Sequence, residues 1–214
     1  MRGLVYTAIM GEYDTLKEPA VITDGWDYRC YTDIEMKSDT WDIRKFECGD
    51  VSPVKASKMI KILWRLFERD YDYVIWADAS LLISCDLNMF IEKYYTPPLT
   101  LMLHPARTCI YKEAEIIKSE NIESDEVIDK QTSRYLAEGF PKDYGLTANG
   151  VMITDKDLPK EYNNLFIEWW NEVYRGSKRD QMSFMYAMWK HPLEYHTIPY
   201  DIIYNEFKFK SHGS

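Results

Sequence analysis

Residues 4–9 form a short apolar run that stops at Gly11, the pattern of a buried strand with a loop at its exit. Residues 28–32 and 43–46 predict two further strands. Ser52-Pro53 then predicts a helix start, because Ser caps well and Pro is tolerated in the first turn. Ala56, Met59, Ile60, Leu63, Leu66 and Phe67 recur at helical spacing and predict its buried face. Lys55, Lys58 and Lys61 then fall on a polar face, which by default is solvated. Residues 73–76 read as a buried strand, followed at once by Ala77-Asp78-Ala79-Ser80 and another apolar run at 81–83. Further along, 100–103 and 150–153 predict strands, and 111–118, 128–137, 160–174 and 182–189 predict helices. Strands alternating with helices predict an α/β fold with a mostly parallel central sheet flanked by helices. In such sheets ligands bind at the carboxyl ends of the strands.

At 214 residues the chain has the length of one well-buried core, and 1–214 is read as a single domain. Its abrupt end at Lys210-Ser211-His212-Gly213-Ser214 suits a natural terminus, a scar or a piece of a longer protein equally. The formal net charge of −9 argues against a nucleic-acid partner, which needs a basic stripe to neutralise phosphates. No apolar run approaches the roughly 20 residues a membrane span needs, and no signal-peptide pattern opens the chain. The four cysteines, Cys30, Cys48, Cys85 and Cys109, show no metal-ligand spacing and read as reduced, packed thiols. A cytoplasmic location is the expectation. The 17 Tyr and 7 Trp exceed what a core of this size requires. Most of them belong in that core, but the excess suits stacking on sugars or bases.

The strongest local chemistry is Asp78, a carboxylate just past a buried strand. It can bind a divalent cation such as Mn²⁺ or Mg²⁺, or simply serve a turn. His212, beside a glycine, is either a late metal ligand or part of a tail. Ser177 and Asp180 are spaced like a capping box, while Asp180 and Gln181 at a helix start could also bind sugar hydroxyls. A lysine of the 55–61 series could pair with a diphosphate as a point charge. His104-Pro105-Ala106-Arg107 brings an imidazole and a guanidinium together after a strand, for a structural or an acceptor-binding role. No Gly-rich phosphate loop, nucleophile elbow or His-Glu-x-x-His motif is present.

Taken together, these segments resemble a glycosyltransferase-like family, long labelled as of unknown function, found in plants and in microbial polysaccharide clusters. The resemblance rests on Val5-Tyr6-Thr7-Ala8 with Gly11-x-Tyr13-Asp14, Tyr31-Thr32-Asp33, Lys58-x-x-Lys61, Ile75-Trp76-Ala77-Asp78, His104-Pro105-x-Arg107 through Glu113-Ala114, Gly139-Phe140-Pro141, and Trp169-Trp170 through Asp180-Gln181-x-Ser183-Phe184. The chain is also similar to the glycosyltransferase domain of a large chlorovirus protein, which would put it in a host cytoplasm. The resemblance implies a GT-A fold and transfer of a sugar from a UDP-sugar donor to a glycan or glycoprotein acceptor, with retention of configuration. It further implies that Thr7, Ala8 and Tyr13 meet the uridine and that Lys58 meets donor phosphate. Asp78 and His212 would hold the metal, with Ser80 standing where the family's Asp-x-Asp motif has its second Asp. Asn149, Asp180 and Gln181 would orient the donor sugar, and His104 and Arg107 would shape the acceptor side. A metal-dependent hydrolase and a non-catalytic carbohydrate-binding domain are the competing readings.

Overall fold

The computed structural model of the protein describes residues 1–209. Its centre is strand β1 (Gly3–Ile9), buried at all seven positions. A strand covered on both faces must be apolar on both, which is why Leu4-Val5-Tyr6 shows no polar alternation. β2 (Trp26–Thr32) and β4 (Tyr73–Ala77) flank β1 in parallel, and β3 (Asp42–Lys45) extends the sheet beyond β2 as a mostly exposed edge. On the other side β7 (Thr147–Asp155) runs antiparallel between β4 and β6 (Leu99–Leu103), and β8 (His196–Ile198) pairs parallel with β6. The order is β3-β2-β1-β4-β7-β6-β8, mostly parallel as expected, with β7 the reversed strand. A small two-stranded sheet joins β5 (Leu81–Ile83) to β9 (Phe207–Phe209).

Two apolar layers cover the sheet. One face packs Leu4, Tyr6, Ala8, Val74 and Trp76 against helices α1 (Pro53–Ile62), α3 (Ile110–Ser119), α4 (Asp125–Ala137), α5 (Tyr162–Arg175) and α6 (Gln181–Lys190). The other packs Val5, Ile9, Ile75 and Ala77 against α2 (Leu87–Tyr94) and α7 (Tyr200–Glu206). Side chains of β1 and β4 therefore alternate between the layers, the period-2 rule of a strand. Most of the aromatic surplus lies in the first layer, including a stacked pair, Tyr135 and Tyr186, with centroids 3.8 Å apart.

Three local expectations change. α1 ends at Ile62 and passes into a 3₁₀ turn over Trp64–Leu66, so Leu66 and Phe67 leave the helical face and are exposed. The lysine face of α1 is not solvated. Because α1 packs against α5, Lys55 Nζ donates to the carbonyls of Tyr174 and Gly176, and Lys61 is fully buried. α2, α7, β8 and β9 had no counterpart in the hydrophobic pattern. They are three to eight residues long, too short to complete a recognisable period. All four cysteines are free. Among the described residues, no helix is long and apolar enough to cross a membrane.

Candidate active site

A cleft of about 550 Å³ opens at the carboxyl ends of β1 and β4. Its walls include Ala8, Met10 and Tyr13 from the end of β1, Lys58 from α1, Asp78 and Ser80 after β4, Lys178 and Arg179 before α6, and Phe209. The chain leaves β1 through Gly11 and Glu12, both at positive φ, and the Gly11 N–H donates to Asp33 Oδ1 at 2.8 Å. A larger recess of about 780 Å³ lies at the other end of β4, around Arg65, Asp72 and Lys156. It gathers none of the residues expected to carry chemistry, and parallel sheets bind ligands at the opposite end.

Asp78 follows β4 in phase with Trp76, whose indole Nε1 donates to Asp78 Oδ1 at 2.7 Å. The Asp78 N–H donates to the Gly150 carbonyl at 2.8 Å. That bond continues the β4–β7 ladder by one rung beyond Ala77 and Val151, while on its other edge β7 bulges against β6. Leu101 pairs with Met152 but Leu103 pairs with Thr147, so the extra residues at Ala148-Asn149-Gly150 are thrown out of register. A Cβ on Gly150 would stand 3.6 Å from Asp78 Oδ2. Asn149 is held at φ 58° and fully buried, yet among the described residues neither its amide nitrogen nor its amide oxygen has a partner. A left-handed non-glycine residue with a buried, unsatisfied amide costs stability, and such residues concentrate at functional sites.

The second anchor is Asp180. Lys61 Nζ donates to its Oδ2 at 2.7 Å and lies 3.6 Å from Asp78 Oδ1, while Lys58 Nζ is 3.0 Å from Asp180 Oδ1. Trp169 Nε1 holds the Asp180 carbonyl at 2.9 Å, and Tyr6 Oη donates to the Lys61 carbonyl at 2.8 Å. Burial alone would raise the pKa of Asp180. The Lys58 and Lys61 ammoniums outweigh it and hold the carboxyl well below the usual range. Burial would likewise lower Lys58, but Asp180 and Asp78 raise it above its ordinary value. The capping box expected here does not form. Asp180 makes no side-chain cap, and Ser177 Oγ accepts instead from the Arg179 N–H at 3.1 Å.

Gln181 and the His104–Arg107 pair meet at Glu113, which belongs to the family-like motif but carried no expected role. Glu113, buried in α3, accepts from both Gln181 Nε2 and Arg107 Nε, and its Oε2 is 3.6 Å from His104 Nε2. His104 Nδ1 accepts from the N–H groups of Ala106 and Arg107 at 3.2 and 3.0 Å. Burial pushes the imidazole below its ordinary value, Glu113 opposes that, and Arg107 and Arg179 add to it. The clue available in the sequence was an acidic residue on the apolar face of α3, between Ile110 and Ile117.

The structure thus brings Ala8, Tyr13, Lys58, Asp78 and Ser80 into one cleft. Asp180 adjoins it through Lys58, and Gln181 follows in α6. Thr7 is buried on the opposite face of β1 from Ala8, its hydroxyl unpartnered. His212 lies outside the described residues. Among those residues, no three His, Cys, Asp or Glu side chains converge on one point. Of the oxygen donors lining the cleft, Asp78 and Ser80 are the two that follow β4, a hard oxygen pair. It fits a Mg²⁺ or Mn²⁺ ion that takes its other ligands from a diphosphate and water.

This fold, with a carboxylate at the strand end facing a cleft, is that of the glycosyltransferase class. The chain belongs to the TOD1/MUCI70 family of glycosyltransferase-like domains, whose model matches residues 50–207. Among solved structures it is similar to the apo form of the bifunctional glycosyltransferase WbbM, at TM-score 0.50 and 12% identity over 92% of this chain and 38% of that one. The chain thus spans well under half of that protein. It is also similar to apo mouse xyloside xylosyltransferase 1, at TM-score 0.47 and 11% identity over 99% of this chain and 94% of that one. No curated protein matches the chain in sequence.

Proposed function

We propose that the protein transfers a sugar from a UDP-sugar to a glycan or glycoprotein acceptor, with retention of configuration and with the aid of Mn²⁺ or Mg²⁺. The observation that carries this reading is the single cleft in which Asp78 and Ser80 face Lys58, Ala8 and Tyr13. Ala8 and Tyr13 border the uridine end, and Lys58 offers its ammonium to the donor phosphates. A divalent cation on Asp78 and Ser80 would neutralise charge on the departing diphosphate. Asn149 and Gln181 orient the sugar, Asn149 through the amide that has no partner among the described residues. His104, its imidazole pushed down by burial, and Arg107 shape the acceptor side.

The electrostatics of Asp180 favour retention. An inverting enzyme needs a base able to take the acceptor proton, and efficient bases titrate near the working pH. Asp180 is held far below it by two ammonium groups, so it is a poor base and a good electrostatic anchor. In the retaining reaction the bond from C1 to the leaving phosphate oxygen breaks, and the acceptor oxygen bonds to C1 on the same face. The acceptor proton passes to the departing phosphate.

Calorimetric titration of UDP with and without Mn²⁺ tests the donor assignment. Metal-dependent binding, followed by turnover of a UDP-sugar, is the expected result. Absence of UDP binding under both conditions would refute it.

A further inference from the structure

Arg179 lies in the cleft wall immediately before α6 and beside Asp180. Its Nε is sealed from solvent, and among the described residues it has no hydrogen-bond partner and no carboxylate forms an ion pair with its guanidinium. That is unusual within this molecule. The other arginines that are not exposed all have side-chain partners: Arg29 with Glu68, Arg65 with the Pro159 carbonyl, Arg107 with Glu113 and Arg134 with Glu172. Burying part of a guanidinium without a partner is costly, because its donors lose water and gain nothing. An arginine in that state, facing a cleft, is complete only when an oxyanion arrives.

Two further features point the same way. Lys58 and Lys178 line the same cleft, so three cationic side chains surround one space in a chain of net charge −9. The Arg179 charge also acts on both the Lys58 ammonium and the His104 imidazole, lowering the pKa of each.

We propose that Arg179 is the phosphate-binding arginine of this cleft, its guanidinium fork gripping the diphosphate of the nucleotide donor together with Lys58. The inference rests on the donor reading above but adds a residue and a chemistry to it. Arginine suits the role because its planar fork can take two phosphate oxygens at once, whereas lysine acts as a point charge. Lys58 is in addition engaged by Asp180, whereas among the described residues the side chains of Arg179 and Lys178 have no carboxylate partner, and of these two only Arg179 carries a planar fork.

The test titrates UDP, uridine, inorganic pyrophosphate and glucuronate, at constant Mg²⁺, into wild-type protein and into Arg179→Ala and Arg179→Lys. Wild-type protein should bind UDP and pyrophosphate. Arg179→Ala should weaken both by roughly 10- to 100-fold, with uridine unaffected and Arg179→Lys intermediate. Circular dichroism establishes that each variant is folded, and Arg179→Lys carries the test if Arg179→Ala is not. Pyrophosphate binding that depends on Arg179, without UDP binding, would sustain the phosphate site while overturning the uridine donor. UDP binding that is equal in all three proteins would overturn the inference and leave the donor reading intact. Loss of glucuronate binding alone would also overturn it, by moving Arg179 to an acidic acceptor. Failure of wild-type protein to bind any phosphate would overturn both.

Discussion

The Lys61 ammonium sits 2.7 Å from Asp180 Oδ2, an ion pair joining residues 119 positions apart, with the lysine fully withdrawn from water. It fastens α1 to the start of α6. With Asp78 Oδ1 at 3.6 Å, it also sets the distance between the two carboxylates around which the site is built. Buried pairs contribute little net stability over apolar replacements, yet removing one partner is costly because the other charge is left behind. Lys61→Met should therefore destabilise the fold by about 3 kcal/mol, at the lower end of that cost because Lys58 still reaches Asp180. Urea denaturation measures the loss. In the double variant, Asp180→Asn should cost less than it does alone, and simple additivity would show the two residues to be uncoupled.

Asp78 is anchored at one oxygen by Trp76 and is about a third exposed at its side chain. Asp78→Ala should accordingly abolish metal-dependent UDP binding, while the melting temperature moves by only a few degrees. Calorimetry and thermal melts separate the two effects. Undiminished UDP binding would remove Asp78 from the donor site.

Asn149 should show opposite effects on stability and activity. Asn149→Gly relieves a left-handed backbone and removes two unsatisfied buried atoms, which should stabilise the fold by about 1 kcal/mol. It should at the same time lower turnover at least tenfold, because the amide that orients the sugar is gone. A variant that is both more stable and fully active would show that the amide has no part in the reaction.

Glu113 holds Gln181 and Arg107 in place without lining the cleft. Glu113→Gln weakens two charge-assisted bonds and should cost about 2 kcal/mol of stability. The kinetic signature should be a reduced kcat with little change in UDP affinity. A change confined to stability would make Glu113 a core residue only.

Acid stability follows from two depressed carboxyls. Asp180 is held low by Lys58 and Lys61 against the effect of its burial, and Glu138 is held to about 2 by hydrogen bonds from Lys190 and Tyr186. Both folded-state values lie beneath the unfolded ones, near ~4. Their stabilisation is therefore fully present above that pH, and is lost as pH falls through the folded values, toward 2 for Glu138 and lower for Asp180. The stability gap between wild-type protein and Asp180→Asn should be constant at neutral pH and narrow below about pH 4. Urea midpoints across pH measure it, and a gap independent of pH would mean that the lysines do not hold Asp180 ionised.

The sequence by itself determined the centre of the sheet and the place of the carboxylate that follows β4. Residues 4–9 and 73–76 are apolar at nearly every position because both faces of β1 and β4 are covered, a condition written locally into each strand. Asp78, Asp180 and Gln181 were legible as candidate chemistry because they follow a strand or open a helix, and Lys58 because it belongs to a lysine series at helical spacing. What only the tertiary structure decided was how the charges pair. Helical spacing marked Lys61 as polar and solvated, yet the packing of α1 on α5 buries it against Asp180. Glu113 becomes a junction because Arg107, in its own segment, and Gln181, 68 residues away, both reach it. The antiparallel pairing of β7 with β4, which presents the Gly150 carbonyl to Asp78, and its bulge against β6, where Asn149 takes a positive φ, likewise depend on which strands flank it. Hydrophobic periodicity reports whether a residue faces the core. It carries no information about which distant partner the fold will set against a buried charge, and here that pairing forms the site.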